Sequence, residues 1–388
     1  MSPLNPQTID KLRESRGLTV AQLAKRADLS PAQFSEVMEN PGEAKVGVVK
    51  DIASALGVDE FLLYYRPESV PVGPLPDFRR DNTPTATLSP ATYRAIDTAR
   101  ALRATAAHVA PEHQRSELRH VGMKNSPSSA AESARAVLRL DFHDQIEAKS
   151  ANNFYADLRF KIEDDNIFVL QDSFPAEDGA GFSLSDGEEP AVIVVNTKST
   201  TIGRRIFTLA HELFHVIRGE SGISAPFSPT KAERDCDRFA TELLMPAKEF
   251  IQYIKLTFPN AQSFIELIPR IANKIKLSQQ AVALRLDELR LEFGIYRAWV
   301  RLVGVRNPDL IKPAGGGSSG RDENKIKLAR FGTHFAEVFS AAIDAGSISF
   351  LGLFELSGLK RDFARPYFEY ANSVRRLGSR DNVFQDED

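Results

Sequence analysis

IFTLAHELFHVI at residues 206–217 and KAERDCDRFATELLMP at 231–246 decide how this chain is read. In the first stretch Ile206, Leu209, Ala210, Leu213 and Ile217 recur at helical spacing, so the helix is buried on one side. Positions i and i+4 share a face, which lets His211 and His215 reach one metal ion together. Glu212 lies about 100° round the same turn, placed to touch a metal-activated water without being a ligand. A third protein ligand has to come from elsewhere, and Glu233 is the best candidate. It falls on one face of the second helix with Cys236, Asp237, Ala240 and Leu244. Two carboxylates on an otherwise apolar face are hard to explain as packing, because a buried charge needs a partner or a metal. HExxH alone is a weak pattern, and its bland reading is a surface helix with two incidental histidines. The apolar stripe and a second helix at short-loop distance both argue against that.

Composition sets the frame. A chain of 388 residues has room for two or three cores, and 42% hydrophobic with 26% charged residues is ordinary soluble usage. A net charge of −3 leaves no overall electrostatic footprint for nucleic acid. Cys236 is the only cysteine, so no disulfide forms within the chain and a reducing, cytoplasmic compartment fits. No apolar run reaches membrane-spanning length, and MSPLNPQTIDKLRESRG lacks the apolar core of a signal peptide. The expectation is a soluble protein with no membrane partner.

Residues 6–65 read as about five short helices. The first covers Thr8 to Ser15; Thr19 and Gln22 form a capping box for Val20 to Arg26. Ser30-Pro31 supplies an N-cap and N1 proline for a third helix ending near Asn40. A fourth runs from Val46 to Leu56 and stops at Gly57. Leu23, Ala24, Leu29, Phe34, Val37, Ile52 and Leu56 are the expected core. Two short helices around Ala27-Asp28-Leu29 form a helix-turn-helix pattern, and LxxxRGLTxxxLAxxxxxS resembles the phage-repressor type. That resemblance implies double-stranded DNA as a partner of residues 1–66, with Gln33, Ser35, Pro31 and Ala32 facing base edges. Gln33 would offer the bidentate amide contact to adenine. Eight Lys or Arg against nine Asp or Glu in residues 1–66 argue for weak binding, or binding as a homodimer. A docking bundle that no longer grips DNA is the alternative.

Four prolines in residues 66–76 mark a linker. Helices are expected over 89–111, from Ala130 to Leu140 and from Asn152 to Glu163. IFVLQDSF (167–174) and AVIVVN (191–196) read as two strands, bounded by acidic and glycine-rich turns. An edge strand beside the metal helix would hold a substrate backbone by strand addition.

NNFYADLRFKIEDDNIFVL, AVIVVN, RRIFTLAHELFH and ERDCDRFATELLMP together resemble the ImmA/IrrE family of bacterial and phage metallopeptidases, over about residues 75–300. The resemblance implies a fold that is mainly α with a small β-sheet (α+β). It comprises a helix-turn-helix domain at 1–66, a Pro-rich linker at 67–80, a zincin-like metallopeptidase domain at 81–311, and a helical C-terminal region at 312–388 after a Gly-rich linker. It implies one Zn²⁺ per chain on His211, His215 and Glu233, with Glu212 as general base. The implied substrate is a helix-turn-helix transcriptional repressor, whose cleavage switches on stress, DNA-damage or mobile-element genes. There are departures. Phe214 stands where many members have glycine and would narrow the cleft. Cys236-Asp237 replaces the usual Ala-Asn. Asp237 can still orient a ligand histidine. Cys236 reads first as a small core residue, and second as an inhibitory or redox-sensitive contact to the metal. Gly219 stands in place of a frequent histidine and reads as a helix C-cap.

Residues 261–290 read as two helices around a turn, packing on the peptidase core rather than forming a second DNA-binding unit. KPAGGGSSGRDENK (312–325) is a flexible boundary, followed by an amphipathic helix from Ile326 to Ala345 with no catalytic arrangement. Tyr155 and Arg205 are weak candidates for an oxyanion donor. Two other function classes stay open: a DNA-binding transcriptional regulator whose metallopeptidase-like domain senses a ligand or stress, and an antitoxin-like binding protein of a two-gene system. Manganese could replace zinc on such a donor set.

Overall fold

A computed structural model describes residues 3–69, 88–111, 115–121, 126–185, 189–198, 201–224, 230–303 and 322–377. The expected Pro-rich linker beyond Ser69 and the Gly-rich stretch before Asp322 lie outside the described residues. The chain is mainly α with one small β-sheet.

The N-terminal bundle holds α1 (Pro6–Ser15), α2 (Val20–Arg26), α3 (Pro31–Glu39) and α4 (Val46–Leu56), followed by a 3-10 turn at Glu60–Tyr64. The Asn5 side chain accepts from the N–H groups of Gln7 and Thr8, so α1 begins at Pro6, two residues earlier than the sequence suggests. Thr19–Gln22 forms a reciprocal capping box, and so does Ser30–Gln33. Leu23, Ala24, Phe34, Val37, Ile52 and Leu56 are buried together, with Leu29 packed at the margin.

The rest of the chain runs through α5 (Pro90–Val109), α6 (Pro127–Val137), α7 (Phe142–Glu147) and α8 (Ala151–Asp164) into β1 (Ile167–Asp172), β2 (Gly181–Leu184) and β3 (Ala191–Asn196). Then follow α9 (Ile202–Arg218), β4 (Gly222–Ser224), α10 (Lys231–Leu244), α11 (Ala247–Thr257), α12 (Ile268–Ile275), α13 (Gln279–Glu288) and α14 (Ile295–Val303). Beyond the Gly-rich stretch come α15 (Glu323–Asp344), α16 (Phe350–Ser357) and α17 (Arg361–Leu377). Among the described residues four strands therefore stand where the sequence suggests two. The helix expected from Ala130 to Leu140 begins and ends three residues earlier, and α7 is additional.

The sheet order is β1-β3-β2-β4, with β1 and β3 parallel and β2 antiparallel to both β3 and β4. AVIVVN is apolar almost throughout because both faces of β3 are covered. Ile193 and Val195, with Ile167 and Val169 of β1, join a core with α8, α9, α10, α12 and α13. Val192 and Val194, with Phe168 and Leu170, face the opposite way into a second core. That second core is closed by Ala95, Ala99, Leu102 and Ala106 of α5 and by Phe331, Phe335, Phe339 and Tyr367 of α15 and α17. The C-terminal helices and α5 thus share the covering of one side of the sheet, α15 over β1 and α5 over β3.

The N-terminal bundle is tied to α5. Arg16, 2% exposed, pairs with Asp97, and its guanidinium lies 4.5 Å over the Tyr93 ring. Tyr93 in turn donates to the Arg16 carbonyl at 2.9 Å. Gly57 permits close approach: its φ is +71°, and a Cβ there would overlap the Pro90 carbonyl.

Candidate metal centre

The candidate ligands sit on two helices whose starts are set by threonines. Thr201 caps α9 and Thr230 caps α10, each side chain accepting the backbone N–H three residues on. Ile206, Leu209, Ala210, Leu213 and Ile217 are all fully buried, so α9 is locked face-down and its histidines cannot swing out. The Thr230 cap puts Glu233 in the first turn of α10, where the helix dipole favours a carboxylate.

The two histidines converge on that carboxylate. His211 Nε2 lies 3.4 Å from Glu233 Oε2, and His215 Nε2 lies 3.1 Å from Glu233 Oε1. Donors about 2.0–2.1 Å from a shared tetrahedral ion would stand about 3.3 Å apart, so the spacing matches a zinc site. Each imidazole is held from behind. His211 Nδ1 is 2.9 Å from Asp237 Oδ1, and His215 Nδ1 is 3.2 Å from Glu220 Oε2. Glu220 was not read from the sequence. It is brought back over His215 by the left-handed turn at Gly219, where the Glu220 N–H bonds the His215 carbonyl. Glu212 stands beside the cluster, accepting from Ser224 Oγ at 3.3 Å. A Cβ on Gly181 would lie 3.1 Å from Glu212 Oε1, so a glycine in β2 preserves the space above the carboxylate.

A cation fits this setting on independent grounds. His211, Glu212, His215 and Glu233 are 0% exposed. His211 Nε2 and Glu212 Oε1 have no hydrogen-bond partner among the described residues. Buried, unmatched polar atoms facing surplus carboxylate charge are what a dication satisfies. Cys236 Sγ also approaches, 3.3 Å from His215 Nε2, so the third donor has two sources. Glu233 is preferred because its two oxygens meet both histidines, whereas the thiol meets His215 alone at hydrogen-bonding distance.

Burial would lower the His211 pKa, but its hydrogen bond to Asp237 and the adjacent Glu233 and Glu212 carboxylates carry it up to about 10. Burial lifts Glu212 to about 7 against the opposing pull of His215 and His211. Burial would raise Glu233 too, yet its hydrogen bond with His215 and the close approach and charge of both histidines hold it at about 2. These shifts fix a pH window for the ion-free fold. Glu233 stabilises fully above its ordinary 4.5 and loses this toward pH 2. Glu212 ionises with increasing penalty from 4.5 to about 7, and the His211 contribution, complete below 6.5, fades toward about 10. Chelated protein should therefore melt progressively lower between about pH 5 and pH 9, while zinc-loaded protein resists this because the ion replaces the lost protons. Thermal scans with and without chelator check it; a chelated chain equally stable at both ends contradicts the assignment.

The other expected residues fall elsewhere. Phe214 does not narrow a cleft. Its ring is 3% exposed and stacks on Phe239 of α10, with centroids 4.6 Å apart, inside the core between the two helices. Tyr155 is buried in the core packed against α9, and that burial pushes its hydroxyl pKa up. Pro31, Ala32, Gln33 and Ser35 are exposed on α3, within a separate core from the metal site. The Gln33 carboxamide oxygen is already engaged, accepting the Ser30 N–H at 2.9 Å in the capping box. No helix among the described residues is long and apolar enough to cross a membrane.

Residues 162–287, which run from the end of α8 into α13 and include His211, Glu212, His215 and Glu233, match the family described as the IrrE N-terminal-like domain, a peptidase family. Residues 9–63 match the helix-turn-helix family. No curated protein and no solved structure matches the chain.

Proposed function

We propose that this chain, which joins a helix-turn-helix domain to an IrrE N-terminal-like peptidase domain, is a regulatory zinc-dependent endopeptidase acting on a helix-turn-helix transcriptional repressor. The observation that carries this reading is the convergence of His211 and His215 on Glu233, with the Glu212 carboxylate alongside. Bound there, one zinc ion per chain supplies Lewis-acid activation of water and of the scissile carbonyl. Glu212, whose carboxylate stands beside the cluster, would take a proton from the attacking water and pass it to the leaving amine. Asp237 and Glu220 fix the imidazole rings so that each Nε2 faces inward. Exposed residues of α3 serve as the surface for double-stranded DNA or a protein partner. Soluble, cytoplasmic action fits the single cysteine and the absence of any membrane-crossing helix among the described residues.

A second reading is a DNA-binding regulator whose peptidase-like domain senses a ligand or stress. What favours it is that His211, Glu212, His215 and Glu233 are all fully buried, so no substrate backbone reaches them in this conformation. Metal content of the purified chain, wild type beside Glu233→Ala, is the test. One zinc per chain that vanishes in the variant is expected. No metal in either, even with zinc supplied, removes the peptidase reading and leaves the regulator.

A further inference from the structure

Cys236 lies three residues after Glu233 on α10, on the face turned toward α9. It is buried in the core between the two helices, and its Sγ lies 3.3 Å from His215 Nε2. The sulfur and one nitrogen from each of His211 and His215 all lie within 4.8 Å of one another. The buried His211 Nε2 makes no hydrogen bond among the described residues and stands 3.4 Å from Glu233 Oε2, a gap that an ion between them would fill.

We propose that Cys236 is a fourth donor to the ion held by His211, His215 and Glu233, and that the chain rests in a closed two-histidine, one-glutamate, one-thiolate sphere. This rests on the metal reading above and adds a regulatory state to it. Structural zinc sites have four protein donors, whereas catalytic sites keep one position open for water. A sulfur in that position converts the second kind into the first. Thiolate is also a soft, strongly held zinc ligand, and an adjacent cation is what makes a buried thiol give up its proton. The complete burial of His211, His215, Glu233 and Cys236 agrees with a resting form. A core cysteine that only fills space would do equally well as alanine; a fourth donor would not.

The experiment uses the full chain loaded with cobalt(II) in place of zinc, as wild type and as Cys236→Ser and Cys236→Ala. Wild type is expected to show a near-ultraviolet thiolate-to-cobalt charge-transfer band. Both variants should bind one cobalt without that band. Zinc affinity by chelator competition should fall more than about tenfold, at least what losing an outer partner costs. Circular dichroism establishes that each variant is folded, and alanine serves if serine disturbs packing. Cobalt bound by wild type with no thiolate band, or a band unchanged in the variants, overturns the proposal while leaving the three-ligand site standing. No cobalt bound by wild type overturns both.

Discussion

Glu212→Gln should lower repressor cleavage by about 10²- to 10⁴-fold, the usual worth of a positioned general base, while metal content stays at one per chain. The substitution keeps the shape of the side chain and its capacity to accept from Ser224 Oγ, so the fold has little reason to respond. It removes only the ability to take a proton. The structure keeps Glu212 apart from the inward-facing imidazole nitrogens, which meet Glu233 instead. The result should hold whether position 236 is cysteine or alanine, since the proton acceptor is needed in either background. Cleavage of a helix-turn-helix repressor and metal analysis, run side by side, decide the matter. Full activity in the variant would falsify the mechanism. Loss of metal would instead make Glu212 a ligand.

Gly332→Ala should destabilise the chain by about 3 kcal/mol or more, the range for breaking a buried ion pair. Gly332 interrupts α15 with φ +81° and ψ −173°, and a Cβ there would overlap the Glu163 carboxylate. That carboxylate is fully engaged in the interior. It accepts from Arg159 Nε at 2.8 Å and from the Thr333 N–H and Oγ at 2.7 and 2.6 Å. The Gly332 carbonyl accepts from Tyr367 at 2.6 Å, which fastens α17 to the same point. Gly346 supplies the control. It has a similar φ of +71° with nothing within 4 Å of a built Cβ, so Gly346→Ala should cost only the left-handed backbone penalty of about 1–2 kcal/mol. Equal losses in the two variants, measured by denaturant unfolding, would show that the Glu163 network is unimportant.

The parts of this molecule that were legible in the sequence are those governed by local rules. Capping pairs such as Thr19–Gln22 and the stop at Gly57 announce the short helices, because their hydrogen bonds close within a few residues. His211, Glu212 and His215 are legible for the same reason, since one helix turn fixes their relation. Strands β2 and β4 were not. They are four and three residues long and fully buried, so neither shows the alternation that marks a half-exposed strand. Glu220 was missed because its role depends on a left-handed residue sending the chain back on itself; Gly219 was read as a cap, but not for what the cap positions. The misjudged direction of Phe214 has a similar origin. Helical spacing places a residue on a face, but only the packed neighbour, Phe239, says whether that face opens to a cleft or to a core.

The covering of the sheet by α15 and α17 has a consequence for how the chain comes into being. β4 ends at Ser224, and α15 does not begin until Glu323. At about 5–20 residues per second, the ribosome needs about 5–20 s to make the stretch between them. Throughout that interval Phe168, Leu170, Phe182, Val192 and Val194 lack their C-terminal partners, with α5 alone to shield them. The nascent chain therefore passes through a stage with an uncovered apolar sheet face, and a stop codon placed before α15 would make that stage permanent. Truncated forms should depend on chaperones and aggregate, whatever the state of their metal site.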